Sequence, residues 1–244
     1  MKRGNAPTIA FLFLIVSAAL FLAAPSAQAS GQWGGDIRIY GLGAGMEGSV
    51  GAFGREADVN LSFSDVLDHL KFGFMAESHI YKGKWAFNED VIYTKLGMEN
   101  NLVKADTTQW IIGFDGGYQF KRYVELYGGI RINALRNNWE FKGPLGFVAK
   151  PRKTWVDPIV GLRITPQLSK NWYLLSRFDV GGFGISSKFT YQVEGLLERR
   201  ISPRAQLDFG YRVIGINYDK GDGIRRFLYD VTISGPEAGF TFNF

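Results

Sequence analysis

The chain contains no cysteine and only two histidines, His69 and His79. Without cysteine there can be no disulfide framework, no zinc–thiolate centre and no thiol nucleophile. Two histidines ten residues apart are a weak basis for a metal site or for a nucleophile–histidine–acid arrangement. Beyond residue 24 no apolar run approaches the roughly 20 residues that a membrane helix needs. The glycine-rich stretch at 41–45 lacks the lysine and the strand-to-helix context of a phosphate loop. Glycine inside a strand more often permits bending and close packing. Asp219, Asp222 and Gly223 read as a polar turn rather than a cation site. The net charge of +5 is modest. No nucleic-acid partner is expected from it, and no cofactor from the motifs.

What is present begins with Lys2 and Arg3, an apolar run over 9–24, Pro25, and Ala27-Gln28-Ala29. This is the pattern of a cleavable secretory signal peptide over 1–29. Cleavage after Ala29 would leave a single domain, 30–244, and lower the formal charge from +5 to +3.

From residue 34 onward the chain alternates apolar and polar residues in segments near 36–46, 71–82, 85–97, 109–120, 124–133, 155–165, 172–184, 188–200, 205–218 and 227–244. Alternation places the two residue classes on opposite faces of a strand. Trp110, Ile112, Phe114, Tyr118 and Phe120 oppose Gln109, Asp115 and Gln119. Leu207, Phe209, Tyr211 and Val213 oppose Gln206, Asp208, Gly210 and Arg212. Short connections alternate with longer polar ones, including 98–106 and 137–153. The fold expected is all-β: an antiparallel up-and-down transmembrane β-barrel, with short periplasmic turns and longer outer loops. Ten strands fit best. Eight and twelve are the alternatives, because 57–63 also alternates.

If the apolar faces meet lipid, the other faces line a lumen. That set contains Glu77, His79, Asp90, Asp115, Glu125, Arg131, Arg163, Arg177, Asp179, Glu194, Asp208 and Arg212. A soluble sandwich could not bury so many charges cheaply. A small barrel has an interior narrow enough for side chains to fill. The leading reading is a salt-bridged plug, followed by a narrow channel for small polar solutes and then an active site. Ser78 has the wrong parity to join His79, so His79 reads as a hydrogen-bonded lumenal group.

Some features break the pattern. Glu89 falls among outward residues, which implies a bulge or a place near the membrane interface. Val231 and Ile233 share parity with Thr241 and Asn243, which predicts a change of face at a bulge near Gly235-Pro236. Phe63, Val66, Leu67 and Leu70 have helical spacing, with Ser64 as the expected N-cap of a short helix covering the barrel mouth or, less favoured, folding inward as a gate. Trp33, Trp85, Trp110, Trp155 and Trp172 are placed as interfacial girdles would place them.

The last residues put Phe240, Phe242 and Phe244 on one face and end on an aromatic residue. This resembles the terminal strand of bacterial outer-membrane barrels, which implies recognition by the barrel-assembly machinery through Phe244. Four further strings point the same way: Asp58-Val59-Asn60-Leu61-Ser62-Phe63-Ser64-Asp65-Val66-Leu67-Asp68, Trp155-Val156-Asp157-Pro158-Ile159-Val160-Gly161, Asp179-Val180-Gly181-Gly182-Phe183-Gly184 and Tyr229-Asp230-Val231-Thr232-Ile233-Ser234-Gly235-Pro236. Together they resemble a family of small proteobacterial outer-membrane β-barrel proteins of unassigned function, similar in general form to OmpA-like and OmpW-like barrels. The resemblance implies the outer membrane of a Gram-negative cell and contact with its lipid; a monomer is the default expectation. It carries no catalytic residue. A structural or narrow-channel role is the leading expectation, not an enzyme. The alternatives are an outer-membrane enzyme acting on lipid or peptide, and an adhesin or recognition barrel working through loops 48–70 and 137–153.

Overall fold

The computed structural model describes residues 33–99, 101, 103–142, 146 and 148–244. The expected signal peptide lies outside the described residues. The strands are β1 (Trp33–Leu42), β2 (Gly45–Ala52), β3 (Arg55–Leu61), β4 (Leu70–Lys82), β5 (Trp85–Glu99), β6 (Val103–Lys121), β7 (Val124–Phe141), β8 (Val148–Ala149), β9 (Arg152–Ile164), β10 (Gln167–Ser169), β11 (Trp172–Gly181), β12 (Phe189–Ser202), β13 (Ala205–Lys220) and β14 (Phe227–Asn243). A short helix, α1 (Phe63–Asp68), precedes β4. The wall runs β1-β4-β5-β6-β7-β9-β11-β12-β13-β14 and closes through β1–β14 pairing, with Ile37 opposite Phe242. Ten antiparallel strands therefore form the barrel, as the alternation predicts. The other four are short additions.

β1 and β2 behave as one long strand along β14, in a single register from Asp36↔Asn243 to Ala52↔Phe227. Below the break at Gly43-Ala44 this strand pairs with β4 on its other side; above it, with β3. The tight turns at 83–84, 122–123 and 203–204 lie at one end of the barrel. The first described residues are at this end too, and Phe244 donates its N–H to Gly35 O there. At the opposite end much of what reads as loop is strand: β5 reaches Glu99, β6 starts at Val103, and β7 runs to Phe141.

Most of the wall strands outrun a bilayer, which needs about 9–11 residues each, and their patterning changes along their length. Near the terminal end the outward residues are apolar: Phe114 and Tyr118 on β6, Leu126 and Ile130 on β7, Leu207 and Phe209 on β13. The inward ones there include Asp115, Arg131, Asp208 and Arg212. Further along the same strands the outward positions become Thr108, Arg136, Asn138, Asn217 and Asp219, and the inward ones Ile111, Leu135, Ile214, Ile216 and Tyr218. These inward residues join Tyr40, Ile92, Trp155, Tyr229 and Val231 in one buried apolar cluster. The solvent outside changes from lipid to water, and the favoured face changes with it.

No bulge is involved. β14 keeps one register with β13 over its whole length and another with β1 and β2, so the face change expected at Gly235-Pro236 does not occur. Val231 and Ile233 point inward together with Glu237 and Thr241. Glu89 sits in unbroken register opposite Ser78 and Phe114, which removes the bulge as its explanation. It shares the outward parity of Phe87 and Val91, yet is only 4% exposed. Ser62, not Ser64, caps α1, in a reciprocal capping box with Asp65. The helix packs on β2 and β3 with no residue buried, and Phe63 lies over Gly43. Trp33 and Trp85 are exposed near the terminal end, and Trp110 faces outward at the other edge of the belt. Trp155 is not in a girdle: it lies inside, 5% exposed.

The inversion gives a direct expectation. Phe209→Lys, in the middle of the outward belt, should cost about 2–4 kcal/mol. Asn217→Lys, outward but beyond the belt, should stay within about 0.5 kcal/mol. Denaturant titration of the detergent-folded barrel measures both, and equal costs would contradict the assignment of the belt.

Candidate functional site: the lumen

At the height of the belt the lumen is filled by arginines and carboxylates from nearly every wall strand. Arg38 of β1 donates to Asp208 (2.8 Å), Glu237 (2.7 Å) and Glu194 (3.2 Å). Arg212 of β13 reaches Asp90 (2.7 Å), Glu194 (2.8 Å), Glu237 (2.9 Å) and the Tyr40 hydroxyl (3.0 Å). Arg177 of β11 donates to Asp115 (3.0 Å) and the Tyr127 oxygen (3.0 Å). Arg163 of β9 donates to Glu77 (2.6 Å) and Asn88 (2.9 Å). Glu77 lies within 4 Å of all four of these guanidiniums. Arg131 pairs with Asp179 (2.7 Å), which also accepts from Tyr127 (3.1 Å), so this pair joins the rest. Every charged member of the network is buried. Small residues make the room. A Cβ on Gly239 would stand 2.8 Å from Asp208 and 2.9 Å from Arg38, and one on Gly161 would strike the Tyr127 ring.

Ten of the twelve residues predicted from sequence meet in this network: Glu77, Asp90, Asp115, Arg163, Arg177, Glu194, Asp208 and Arg212 directly, and the pair Arg131 and Asp179 through Tyr127. The other two, Glu125 and His79, lie at its edge nearer the terminal end, where Glu125 accepts from Asn88 (3.1 Å). His79 stands between Asp36 (3.4 Å) and Glu125 (3.3 Å). Together with Tyr81, Arg163 and Glu198 they line a cavity of about 200 Å³ at that mouth. Arg163, tied to Glu77 and Asn88, lies between this cavity and the network. Arg38, Tyr40, Asn88, Tyr127 and Glu237 were not among the predicted residues. Arg38 carries inward parity like the others. Glu237 adjoins the expected break at Gly235-Pro236, where a reader cannot assign a face.

Beyond the network, Trp155 stacks on Tyr218 with centroids 4.4 Å apart and also meets Phe227 and Tyr229. Its Nε1–H donates to Asp157 (3.1 Å) and Ser187 (3.0 Å). Asp157 also accepts from the Ser187 N–H (2.7 Å) and hydroxyl (2.6 Å). The left-handed run Gly182-Phe183-Gly184 turns the chain so that Ser187 reaches this carboxylate inside the barrel. At the tip of the same end Arg226 bridges Asp219 and Glu56. Arg226, with Lys188, holds the Asp219 carboxyl well below the usual range. Asp219 is thus occupied by cations of the chain itself. His69, in the connection after α1, has its Nδ1 2.6 Å from Asp65 O.

An apolar outward belt around a buried ionic interior is the inverse of a water-soluble barrel, and marks an integral-membrane β-barrel. No family model matches the chain, and no curated protein matches it. Solved structures do. Ail, the attachment invasion locus protein of Yersinia pestis, is 13% identical, covers 88% of this chain and 100% of its own, and superposes with a TM-score of 0.41. The translocator domain of the autotransporter NalP from Neisseria meningitidis is 10% identical, with 98% of each chain covered and a TM-score of 0.46. The outer membrane protease OmpT from Escherichia coli is 9% identical, with 90% and 99% covered and a TM-score of 0.49. What the chain shares with them is the barrel.

Proposed function

We propose that the protein is an integral outer-membrane barrel with a sealed lumen, exported by the sequence at 1–29 and cleaved after Ala29. Its role is structural, as a rigid anchor for the barrel extension that projects beyond the belt, and not that of an open channel. One observation carries this reading. The charged lumenal groups at belt height are tied to one another and buried, and a continuous apolar cluster lies beyond them. The first described residues, Phe244 and the tight turns face the periplasm in this orientation, as in bacterial barrels generally. The projecting end then lies at the cell surface, where recognition through loops would occur. The protein acts as a monomer in contact with outer-membrane lipid.

Planar-bilayer recording tests the sealed lumen. The folded protein, verified by heat-modifiable gel mobility, is expected to insert without discrete conductance steps. Reproducible steps that change in Arg131→Ala or Arg177→Ala would establish a pore through the network and overturn the proposal.

A further inference from the structure

The wall carries a row of cations on its outer surface where the belt ends. Tyr93, Trp110, Ala134 and Thr154 form one cross-strand row over β5, β6, β7 and β9. The rings of Phe72, Tyr93 and Trp110 touch in series, with centroids 5.7 and 4.4 Å apart. Tyrosine and tryptophan collect at the membrane–water interface, so this row marks the edge of the hydrocarbon. Two residues further out on the same face, roughly 7 Å by strand rise, comes the row Lys95, Thr108, Arg136 and Arg152.

Arg136 and Arg152 are direct cross-strand partners. Like charges so placed repel unless an anion lies between them. The nearby acids are engaged with lysines: Asp106 pairs with Lys71 and also attracts Lys95, and Glu99 pairs with Lys104 and Lys142, which leaves none against the arginine pair. Among the described residues Lys95, Arg136 and Arg152 form no salt bridge. Four strands at about 4.8 Å spacing spread these cations over roughly 14 Å. They face sideways, into the layer where lipid headgroups lie, and guanidinium pairs match phosphate geometry.

We infer that Lys95, Arg136 and Arg152 form a binding surface for a phosphate-bearing lipid headgroup of the outer leaflet. The inference rests on the outer-membrane reading above. The lipid's acyl chains would lie along the apolar belt beneath Trp110 while its phosphates bridge the arginine pair. A headgroup with two phosphates spans the row better than one with a single phosphate.

Native mass spectrometry of the detergent-folded barrel with lipid A, a bis-phosphorylated glycolipid, tests this. Wild type should retain it, and Arg136→Ala/Arg152→Ala should retain it at least about tenfold more weakly. The exposed single change Arg152→Gln should give an intermediate loss. Lys121→Ala/Arg122→Ala, at the opposite rim, should match wild type. Equal retention by all variants overturns the inference. So does displacement of the lipid by millimolar inorganic phosphate, which would make this a free-anion site, or retention of a sulfated polysaccharide in place of the lipid. Insertion into phosphatidylcholine vesicles separates the two readings: failure of every variant to insert sinks the outer-membrane reading, whereas insertion without retention of lipid A sinks only this one.

Discussion

Arg212→Ala is expected to destabilise the barrel by about 3–5 kcal/mol, the cost of breaking a buried ion pair by removing one partner. Arg212 is 0% exposed and holds Asp90, Glu194 and Glu237 at once. Without it these three carboxylates keep their burial and lose their main counter-charge. Arg38 still reaches Glu194 and Glu237 but has no contact with Asp90, so the loss is only partly made up. An exposed pair would behave differently. Arg226→Ala, which breaks bridges to Glu56 and Asp219 at the water-facing tip, should change stability little. Guanidinium unfolding in detergent micelles compares the two. A loss below about 1 kcal/mol for Arg212→Ala would mean that water enters the lumen and screens the network, against a sealed interior.

Trp155→Ala should cost about 3–5 kcal/mol, as large aromatic truncations in packed interiors do. The indole contributes stacking with Tyr218, Phe227 and Tyr229, and an N–H that helps satisfy Asp157. Its removal opens the centre of the apolar cluster and loosens the Ser187 tether. Limited proteolysis should then cut at 182–188, whereas wild type is expected to resist, because Ser187 is held by Asp157 through both backbone and side chain. Trp172→Ala, on the wall near the terminal end, serves as the contrast and should leave that loop protected. A Trp155→Ala variant as stable as wild type would mean that the barrel beyond the belt has no core of its own.

The readable part of the lumen was its composition. A strand's period of two is local, so each of Asp90, Asp115, Arg131 and Arg177 could be given a face from its neighbours alone. Where the reading failed, it assumed one solvent along the whole strand. Val231 and Ile233 then looked like a change of face, and Trp155 like a girdle residue. Both point inward in strands that never slip, because the medium outside changes from lipid to water partway along. The strands also run on past the belt, so polar stretches such as 98–106 read as loop where β5 and β6 continue. Ser62 was missed as the cap in favour of Ser64, a difference of two residues that spacing alone does not resolve.

The sequence by itself determined the all-β alternation and the inward face of most of the lumenal charges. Those properties depend only on each residue's immediate neighbours along a strand. The tertiary structure alone decided who meets whom. Arg38 and Glu237 are 199 residues apart in sequence and 2.7 Å apart in the lumen. Their meeting depends on closure of the wall between β1 and β14 and on the stagger accumulated around ten strands, which no local pattern encodes. The same closure packs the guanidiniums and carboxylates tightly enough to fill the lumen rather than line it.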